Sequence, residues 1–301
     1  MAPNGRKSIH SELCLRVAGD AAGRTAGGAF AAQFAVGYSR SSIRGGAFTG
    51  VAMTKLLTVA NLNISLGNRE VIHDLSFEVR EGDCIAIIGP NGAGKTVLLS
   101  ALLNLIPYKG EIRWSPGARL GYVPQKIAAD RQLPLSAKDL LAATARFLKL
   151  PPTELQQVSA EVGLANELLS TSIGALSGGQ FQKMLIAFAL LGRPNVLLFD
   201  EPTASLDELT EEHIYELLHS LQKEKGMTML LVSHDLSIVY RNANMVLCLS
   251  SKGKTCMGPP KEILTPAMLQ ELYASPPQYY QHVHEHEREG ESRIAEEREK
   301  W

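Results

Sequence analysis

The feature that most constrains this fold is a glycine-rich segment of eight residues, which lies between an apolar run and a stretch with helical periodicity. Its residues fit the pattern G-x-x-x-x-G-K-[ST] at every fixed position. The apolar run, Cys84 to Ile88, has the length of a strand buried on both faces, and Thr96 to Ile106 has the period of a helix. This order of strand, loop and helix predicts an α/β fold with a P-loop. The segment comprises Gly89, Pro90, Asn91, Gly92, Ala93, Gly94, Lys95 and Thr96.

A loop of this composition is suited to binding the phosphate groups of a nucleoside triphosphate. Gly92 and Gly94 allow the backbone to curl so that successive N–H groups face an anion, and the start of the following helix adds a partial positive charge. Lys95 supplies a positive charge for the β and γ phosphates, and Thr96 offers a hydroxyl to Mg²⁺. A glycine-rich turn with an accidental Lys-Thr pair is the alternative, but it does not explain the flanking strand and helix.

A second apolar run, Val196 to Phe199, ends in two adjacent carboxylates, Asp200 and Glu201. Adjacent side chains at the end of a strand point in different directions. One carboxylate can therefore hold Mg²⁺, through water, while the next polarises the water that attacks the phosphate. Two solvated acids before the turn at Pro202 are the alternative, which leaves the apolar run unexplained.

The pentapeptide LSGGQ at residues 176–180 lies between these two motifs. In this order and spacing, the three motifs resemble those of the ATP-binding subunits of ABC transporters, and the resemblance runs from about Lys55 to about Tyr273. It implies a P-loop NTPase core of the ABC type with an antiparallel β layer and an inserted helical subdomain. It also implies that the chain binds ATP and Mg²⁺ and hydrolyses ATP. The nucleotide-binding residues of the pentapeptide are then Ser177, Gly178, Gly179 and Gln180.

The resemblance assigns roles to residues outside these motifs as well. Gln125, which follows Tyr122-Val123-Pro124, corresponds to the Q-loop glutamine, a metal ligand that moves with the helical subdomain. His234, after the apolar run Thr228 to Val232, corresponds to the switch histidine that contacts the γ-phosphate. The implied metal ligands are Thr96, Gln125 and Asp200, and the implied catalytic residues are the general base Glu201 and His234.

The pentapeptide also predicts a dimer. It opens a predicted helix, Gln180 to Leu191, so that Ser177 and the glycine N–H groups form a second anion-binding helix start. In the family, this second start reaches the ATP bound by the opposite subunit, which gives a head-to-tail pair with two composite sites. Residues 205–207 resemble the D-loop that crosses the same junction. A second copy of the chain is therefore an expected partner.

The secondary structure suggested by the sequence fits this architecture. Residues 57–59, 61–65 and 71–79 alternate in the manner of strands, with a turn at residues 67–68, and they predict an antiparallel β layer. Residues 136–169 read as helices broken by prolines and a glycine, and they predict the inserted subdomain.

Composition limits the possible partners. The 301 residues carry 30 basic and 31 acidic side chains, and the net charge of −1 provides no basic field for a nucleic acid, so none is expected. The longest strongly apolar stretch, Met184 to Leu191, is far shorter than the roughly 18–20 residues that cross a bilayer. Four cysteines without a C-x-x-C pair predict reduced thiols in a reducing compartment.

Three segments are expected along the chain. Residues 1–52 have no sustained hydrophobic period, so we expect a disordered leader, a transit peptide, or an upstream extension of a protein that begins at Met53. Residues 53–275 are expected to form the ABC transporter nucleotide-binding domain, with its helical subdomain at about 126–180. Residues 276–301 are expected to form a mobile tail.

The cargo is indicated only by resemblance. A single ATPase unit without membrane spans favours the separate-subunit arrangement of prokaryotic importers, and residues 121–126 and 264–273 resemble zinc and manganese uptake ATPases. This implies multi-span permease subunits, an extracytoplasmic metal-binding protein, and a peripheral location on the cytoplasmic face of the inner membrane. The alternatives are an importer of another substrate, or a non-transport ABC ATPase that acts on nucleic acid or ribosomes.

Two further features remain open at the level of sequence. In the tail, His282, His284 and His286 stand beside glutamates and form a suitable ligand set for a borderline metal, although a solvated charged tail has the same composition. In the first hairpin, Leu66 stands where the family has an aromatic residue that stacks on adenine. We therefore expect plain apolar contact with the base and a weaker affinity for it.

Overall fold

Two β-sheets and the helix that follows the P-loop form the centre of the computed structural model, which describes residues 54–125, 135–203, 206–250 and 253–273. The smaller sheet has the order β2-β1-β4 and is antiparallel. Its strands are β1 (Lys55–Leu66), β2 (Arg69–Arg80) and β4 (Lys109–Trp114). The predicted antiparallel layer is therefore present, although β1 is one strand with an irregular register around Asn61 (φ 49°) rather than two separate strands.

The larger sheet has six strands in the order β5-β6-β7-β3-β8-β9, and the first five of these are parallel. Because neighbouring parallel strands end at the same edge, the residues that follow β3, β5, β6 and β7 meet there. The sequence did not predict β8 or β9. The strands are β3 (Cys84–Ile88), β5 (Leu120–Val123), β6 (Val196–Asp200), β7 (Thr228–Val232), β8 (Met245–Leu249) and β9 (Thr255–Gly258).

Helices cover both faces of the larger sheet. One apolar cluster joins one face to α1 and the antiparallel sheet, and a second joins the other face to α5, α6 and the smaller helices before them. The helices are α1 (Lys95–Leu102), α2 (Ala137–Phe147), α3 (Pro152–Glu161), α4 (Asn166–Leu169), α5 (Gly178–Leu190), α6 (Glu208–Lys225), α7 (Leu236–Asn242), α8 (Pro260–Ile263) and α9 (Pro266–Tyr273).

The ends of α6 show why the sequence folds into a helix there. The Asp207 carboxylate caps the first turn by accepting a hydrogen bond of 3.0 Å from the Thr210 N–H. Gly226 ends the helix in the left-handed conformation (φ 61°), and Lys223 and Lys225 lie in the last turn, where the helix dipole favours positive charge.

One prediction about the cysteines is wrong. Cys248 on β8 and Cys256 on β9 are direct cross-strand partners with a Cα–Cα distance of 5.0 Å, and they form a disulfide rather than two free thiols. The sequence offered no sign of this pair, because β9 was not predicted. Cys84 is free and buried in β3, and burial raises the pKa of its thiol to about 12.

Several sequence predictions fall outside the described ranges. These are the leader, the connection at residues 126–134, Ser205 of the D-loop segment, and the tail with its three histidines. Within the described ranges, no helix has both the length and the apolar character that a membrane crossing requires.

Candidate nucleotide-binding site

The P-loop joins β3 to α1 at the edge where the parallel strands end. Gly92 (φ 81°) and Gly94 (φ 98°) take left-handed backbone conformations that residues with a side chain rarely adopt. Gly94 also lies against the smaller sheet, because a Cβ atom there would stand 2.8 Å from Cγ1 of Val71. The loop is thus curled as predicted and is held against β2. No side chain caps the start of α1, which leaves its N–H groups facing the loop.

Lys95 is buried at the start of α1, with 7% of its surface exposed. Its ammonium group donates hydrogen bonds to the carbonyl oxygens of Gly89 (2.9 Å) and Pro90 (3.3 Å) and lies 3.9 Å from Oε1 of Glu201. Burial lowers the pKa of Lys95, and the nearby carboxylates of Glu201 and Asp200 act in the opposite direction. Its hydrogen bonds go to neutral carbonyl oxygens, so the charge is well placed to gain from an anionic ligand.

Thr96 and Asp200 form the second part of the site. The Thr96 hydroxyl donates a hydrogen bond of 3.0 Å to Oδ1 of Asp200, although the two residues lie 104 positions apart in the sequence. Asp200 is 2% exposed, and burial raises the pKa of its carboxyl group. The Tyr122 hydroxyl makes a further hydrogen bond with this carboxylate, a contact that the sequence did not reveal. Two of the three predicted metal ligands are therefore adjacent.

Glu201 lies directly after β6 and turns away from Asp200. Its backbone has a φ of 48°, a conformation that is uncommon for a glutamate, and its N–H donates a hydrogen bond of 3.2 Å to the carbonyl of Val232 on β7. Its carboxylate accepts a hydrogen bond from the side-chain amide of Gln125. The two carboxylates thus have different partners, as predicted from their positions at a strand end. Gln125 contacts the predicted general base rather than Asp200.

A cavity of about 580 Å³ joins these residues to the first hairpin. One end contains the P-loop and the side chains of Lys95, Thr96, Gln125 and Glu201, and the other contains residues of β1 and β2. The sequence identified Leu66 at that second end but missed its two neighbours on β2. The lining residues are Leu66, Arg69, Val71, Asn91, Gly92, Gly94, Lys95, Thr96, Val97, Gln125 and Glu201.

The signature residues, which are Ser177 to Gln180 of the pentapeptide, lie elsewhere, since none of them lines this cavity. The Ser177 hydroxyl accepts a hydrogen bond of 3.2 Å from the Gln180 N–H, and the Gln180 side chain accepts one of 3.0 Å from the Ser177 N–H. This reciprocal pair caps α5. Gly179 is pressed against α6, because a Cβ atom there would stand 2.4 Å from Cγ2 of Thr210.

His234 is exposed and follows β7 at the same edge of the sheet. It lies two residues beyond Val232, the register partner of Asp200, but it does not line the cavity. The structure therefore brings together the P-loop, Gln125, Asp200 and Glu201, and leaves both His234 and the signature residues outside the cavity.

Comparison with known proteins places this arrangement in a family. The family model described as ABC transporter matches residues 72–204. A zinc import ATP-binding protein of Hydrogenovibrio crunogenus is 36% identical over 249 residues, which cover 76% of this chain and 93% of the relative. The chain belongs to the ATP-binding subunits of ABC transporters.

Two further relatives of this ABC subunit agree with the fold and the motifs. A zinc import ATP-binding protein of Yersinia enterocolitica is 37% identical over 243 residues, covering 78% of this chain and 93% of the relative. The solved structure of cbiO1 from Clostridium perfringens, described as part of the ABC transporter complex cbiONQ, matches with a TM-score of 0.61 at 27% identity, covering 72% of this chain and 93% of that one. The predicted fold class is confirmed, and the chain is an ATPase whose hydrolysis of ATP drives transport.

Proposed function

We propose that this chain is the ATPase subunit of an importer that takes up a divalent metal ion, zinc or manganese. The observation that carries the cargo assignment is the similarity to zinc import ATP-binding proteins, which extends over 93% of the length of two such relatives at 36% and 37% identity. A similarity of this extent includes the parts of the chain that lie outside the motifs shared by all ATPases of this kind.

Mg²⁺ is the expected cofactor, and the donor atoms present suit it. Mg²⁺ prefers oxygen ligands, accepts only one or two from the protein, and keeps several waters. The Thr96 hydroxyl and the Asp200 carboxylate lie 3.0 Å apart at the mouth of the P-loop, and the Gln125 side chain lies on the neighbouring strand end. When bound, the ion would offset the negative charge of the phosphates. Burial that raises the Asp200 pKa makes a cation a favourable partner for this carboxylate.

Lys95 supplies the second positive charge. Its ammonium group donates hydrogen bonds to two P-loop carbonyls. We propose that it exchanges these neutral acceptors for the β and γ phosphate oxygens when ATP binds, since a hydrogen bond between two charged groups is stronger. The backbone N–H groups from Asn91 to Thr96 complete the cradle around the phosphates.

Glu201 is the proposed general base. Its carboxylate takes a proton from the attacking water, the water oxygen bonds to the γ phosphorus, and ADP leaves with the electron pair of the broken bond. In the present structure, the Gln125 amide donates to Oε2 of this carboxylate, which leaves acceptor positions on the carboxylate for the attacking water. His234 is proposed to reach the γ-phosphate from the end of β7 once nucleotide is bound.

The other partners are proposed from the geometry of the signature helix and from the relatives. Ser177 to Gln180 lie outside their own chain's cavity, so we propose that they contact the ATP of a second copy in a head-to-tail dimer. The cbiO1 relative is described as part of a multi-subunit transporter, which supports docking of this chain on multi-span permease subunits at the cytoplasmic face of the inner membrane. An extracytoplasmic metal-binding protein would deliver the ion.

The test is transport by the assembled complex. The chain, co-purified with its permease subunits and reconstituted into vesicles that contain ATP, with the metal-binding protein added outside, is expected to take up zinc, with manganese as the competing cation. The Glu201→Gln variant, which keeps the shape of the side chain, should assemble equally well and take up neither metal. Normal ATP hydrolysis by the complex together with transport of neither metal would contradict the cargo while leaving the ATPase assignment intact.

A further inference from the structure

Three side chains at the end of the cavity remote from the phosphates share one face of the first hairpin. Val71 contacts the P-loop at Gly94, so its side chain points toward the cavity. Arg69 lies two residues earlier on β2 and therefore points to the same face of the sheet. Leu66 is the direct register partner of Arg69 across the turn, and directly opposed residues also share a face. All three line the cavity.

Two of these residues are exposed at the hairpin. Leu66 is 49% exposed, and few other large apolar side chains among the described residues are exposed. Arg69 is exposed and makes no hydrogen bond or ion pair within the described ranges. The neighbouring strand shows the ordinary alternative, since Arg113 on β4 is paired with Glu111. The Leu66 and Arg69 pair thus offers an apolar surface and a planar cation with no partner of their own.

The position of the pair relative to the P-loop matches the shape of a nucleotide. A strand rises about 3.4 Å per residue, so Arg69 lies roughly 7 Å along β2 from Val71, which itself contacts Gly94. In a nucleoside triphosphate, the ribose separates the base from the phosphates. Phosphates held at Lys95 and Thr96 therefore leave the base at the hairpin end of the cavity.

We infer that Leu66 and Arg69 form the platform for the base of ATP, with the guanidinium plane of Arg69 stacked on the ring and the Leu66 side chain in apolar contact with it. A guanidinium group is planar and weakly hydrated, and it stacks on aromatic faces. The arginine thereby supplies the π contact that Leu66 cannot make, and base affinity is retained despite the missing aromatic residue. The inference depends on nucleotide binding in this cavity and is independent of the metal cargo.

A platform of this kind recognises the face of the ring rather than its edge. Stacking tolerates different bases because every base has a π face, whereas hydrogen bonds to the edge would select one base. ATP and GTP are therefore expected to bind with dissociation constants within about threefold of each other.

Binding measurements on the full chain can separate stacking from a phosphate contact. The ligands are Mg-ATP and Mg-tripolyphosphate, which has the phosphates without ribose or base. Arg69→Ala is expected to raise the dissociation constant for ATP by about 5- to 20-fold, the range of a cation–π contact, and to change that for tripolyphosphate by less than about twofold. Arg69→Lys should lose nearly as much ATP affinity, because its ammonium group is not planar.

Two further variants complete the test. Arg113→Ala removes an arginine of the same sheet that does not line the cavity, and it should leave ATP affinity unchanged. Leu66→Tyr combined with Arg69→Ala should restore ATP binding by supplying an aromatic ring. Equal loss for ATP and tripolyphosphate in Arg69→Ala, full ATP affinity in that variant, or full rescue by lysine would each overturn the stacking role. Unchanged tripolyphosphate binding also shows that the variants are folded.

Discussion

Two helices in this molecule begin at glycine-containing motifs, and their first turns are built differently. The first turn of α1 has no side-chain cap and faces the cavity of the P-loop. The first turn of α5 is capped by its own Ser177 and Gln180 and is pressed against α6 at Gly179. The first turn of α1 is therefore free to bind a ligand in the cavity of its own chain. The first turn of α5 does not line that cavity.

This difference indicates that the two motifs have separate functions. Under the proposed function, the α1 start and Lys95 bind the nucleotide, and this binding needs one copy of the chain only. The α5 start would then contact a nucleotide only if another copy presents one, because it does not line the cavity of its own chain. Variants at the two starts should therefore separate nucleotide binding from dimer-dependent hydrolysis.

The largest effect is expected from Glu201→Gln. Loss of a general base costs about 10²–10⁴-fold in turnover, while the P-loop contacts that bind ATP are untouched. Phosphate release should fall by this factor, and the dissociation constant for ATP should stay within about threefold of the wild type. Hydrolysis at the wild-type rate would remove Glu201 from the role of base.

The next largest effect is expected from Lys95→Ala. The ammonium group is the one cation of the P-loop, and a hydrogen bond to a charged group contributes about 1.5–3 kcal/mol. The dissociation constant for ATP should rise by about 10- to 100-fold in the isolated chain. Calorimetric titration with Mg-ATP measures the change, and a shift of less than threefold would contradict the contact between Lys95 and the phosphates.

A variant at the other helix start should leave binding unchanged and reduce hydrolysis. In Gly179→Ala, the new methyl group would lie 2.4 Å from Cγ2 of Thr210, an overlap of the kind that costs about 1–3 kcal/mol. ATP affinity of the isolated chain should be preserved, while ATP-dependent dimer formation and turnover should fall.

The matched control for this variant removes the atom that clashes. Thr210→Ser deletes Cγ2 and keeps the hydroxyl that donates to Asp207. The double variant Gly179→Ala, Thr210→Ser should regain both dimer formation and turnover. If it stays as inactive as Gly179→Ala alone, contact with α6 is not the reason for the glycine.

The smallest effect concerns the contact that holds α3 to the turn after α5. Both carboxylate oxygens of Glu154 on α3 accept hydrogen bonds from Arg193, in the turn between α5 and β6, at 2.7 and 2.5 Å. These bonds lower the pKa of Glu154 below its ordinary value of 4.5. Because the folded protein favours the ionised form, this stabilisation is present above pH 4.5 and disappears as the pH falls through the lowered pKa.

Glu154→Gln should therefore lower the free energy of unfolding by about 1–2 kcal/mol at pH 7.5. The difference from the wild type should shrink as the pH falls below 4.5, because protonation removes the same charge from the wild-type carboxyl group. Urea denaturation at pH 7.5 and at a pH well below 4.5 measures the change. An equal difference at both would show that the charge of Glu154 is not what stabilises the contact.

Sequence patterns were sufficient wherever a local run of residues decides the structure. The P-loop, the strand that ends at Asp200 and the helix that follows the pentapeptide each depend on neighbours within a few residues. The Thr96 to Asp200 bond could be expected as well, because parallel strands end at one edge.

Contacts between distant segments could not be predicted in the same way. The left-handed backbone of Glu201 depends on Val232, and the contact of Gly179 depends on Thr210 of another helix. The Cys248 to Cys256 pair depends on the register of β9, a strand whose weak pattern gave no signal. Arg69 was overlooked because only its cross-strand partner Leu66 occupies a motif position.

The most direct test of the composite site is a crosslink between two differently tagged chains. One chain carries Ser177→Cys, the other carries Asn91→Cys, and both carry Glu201→Gln to prevent turnover. With Mg-ATP, the two chains should form a disulfide-linked heterodimer, and the yield should fall when nucleotide is omitted. If a single chain that carries both cysteines crosslinks only within itself, and the mixed chains never join, the signature residues do not act across a dimer.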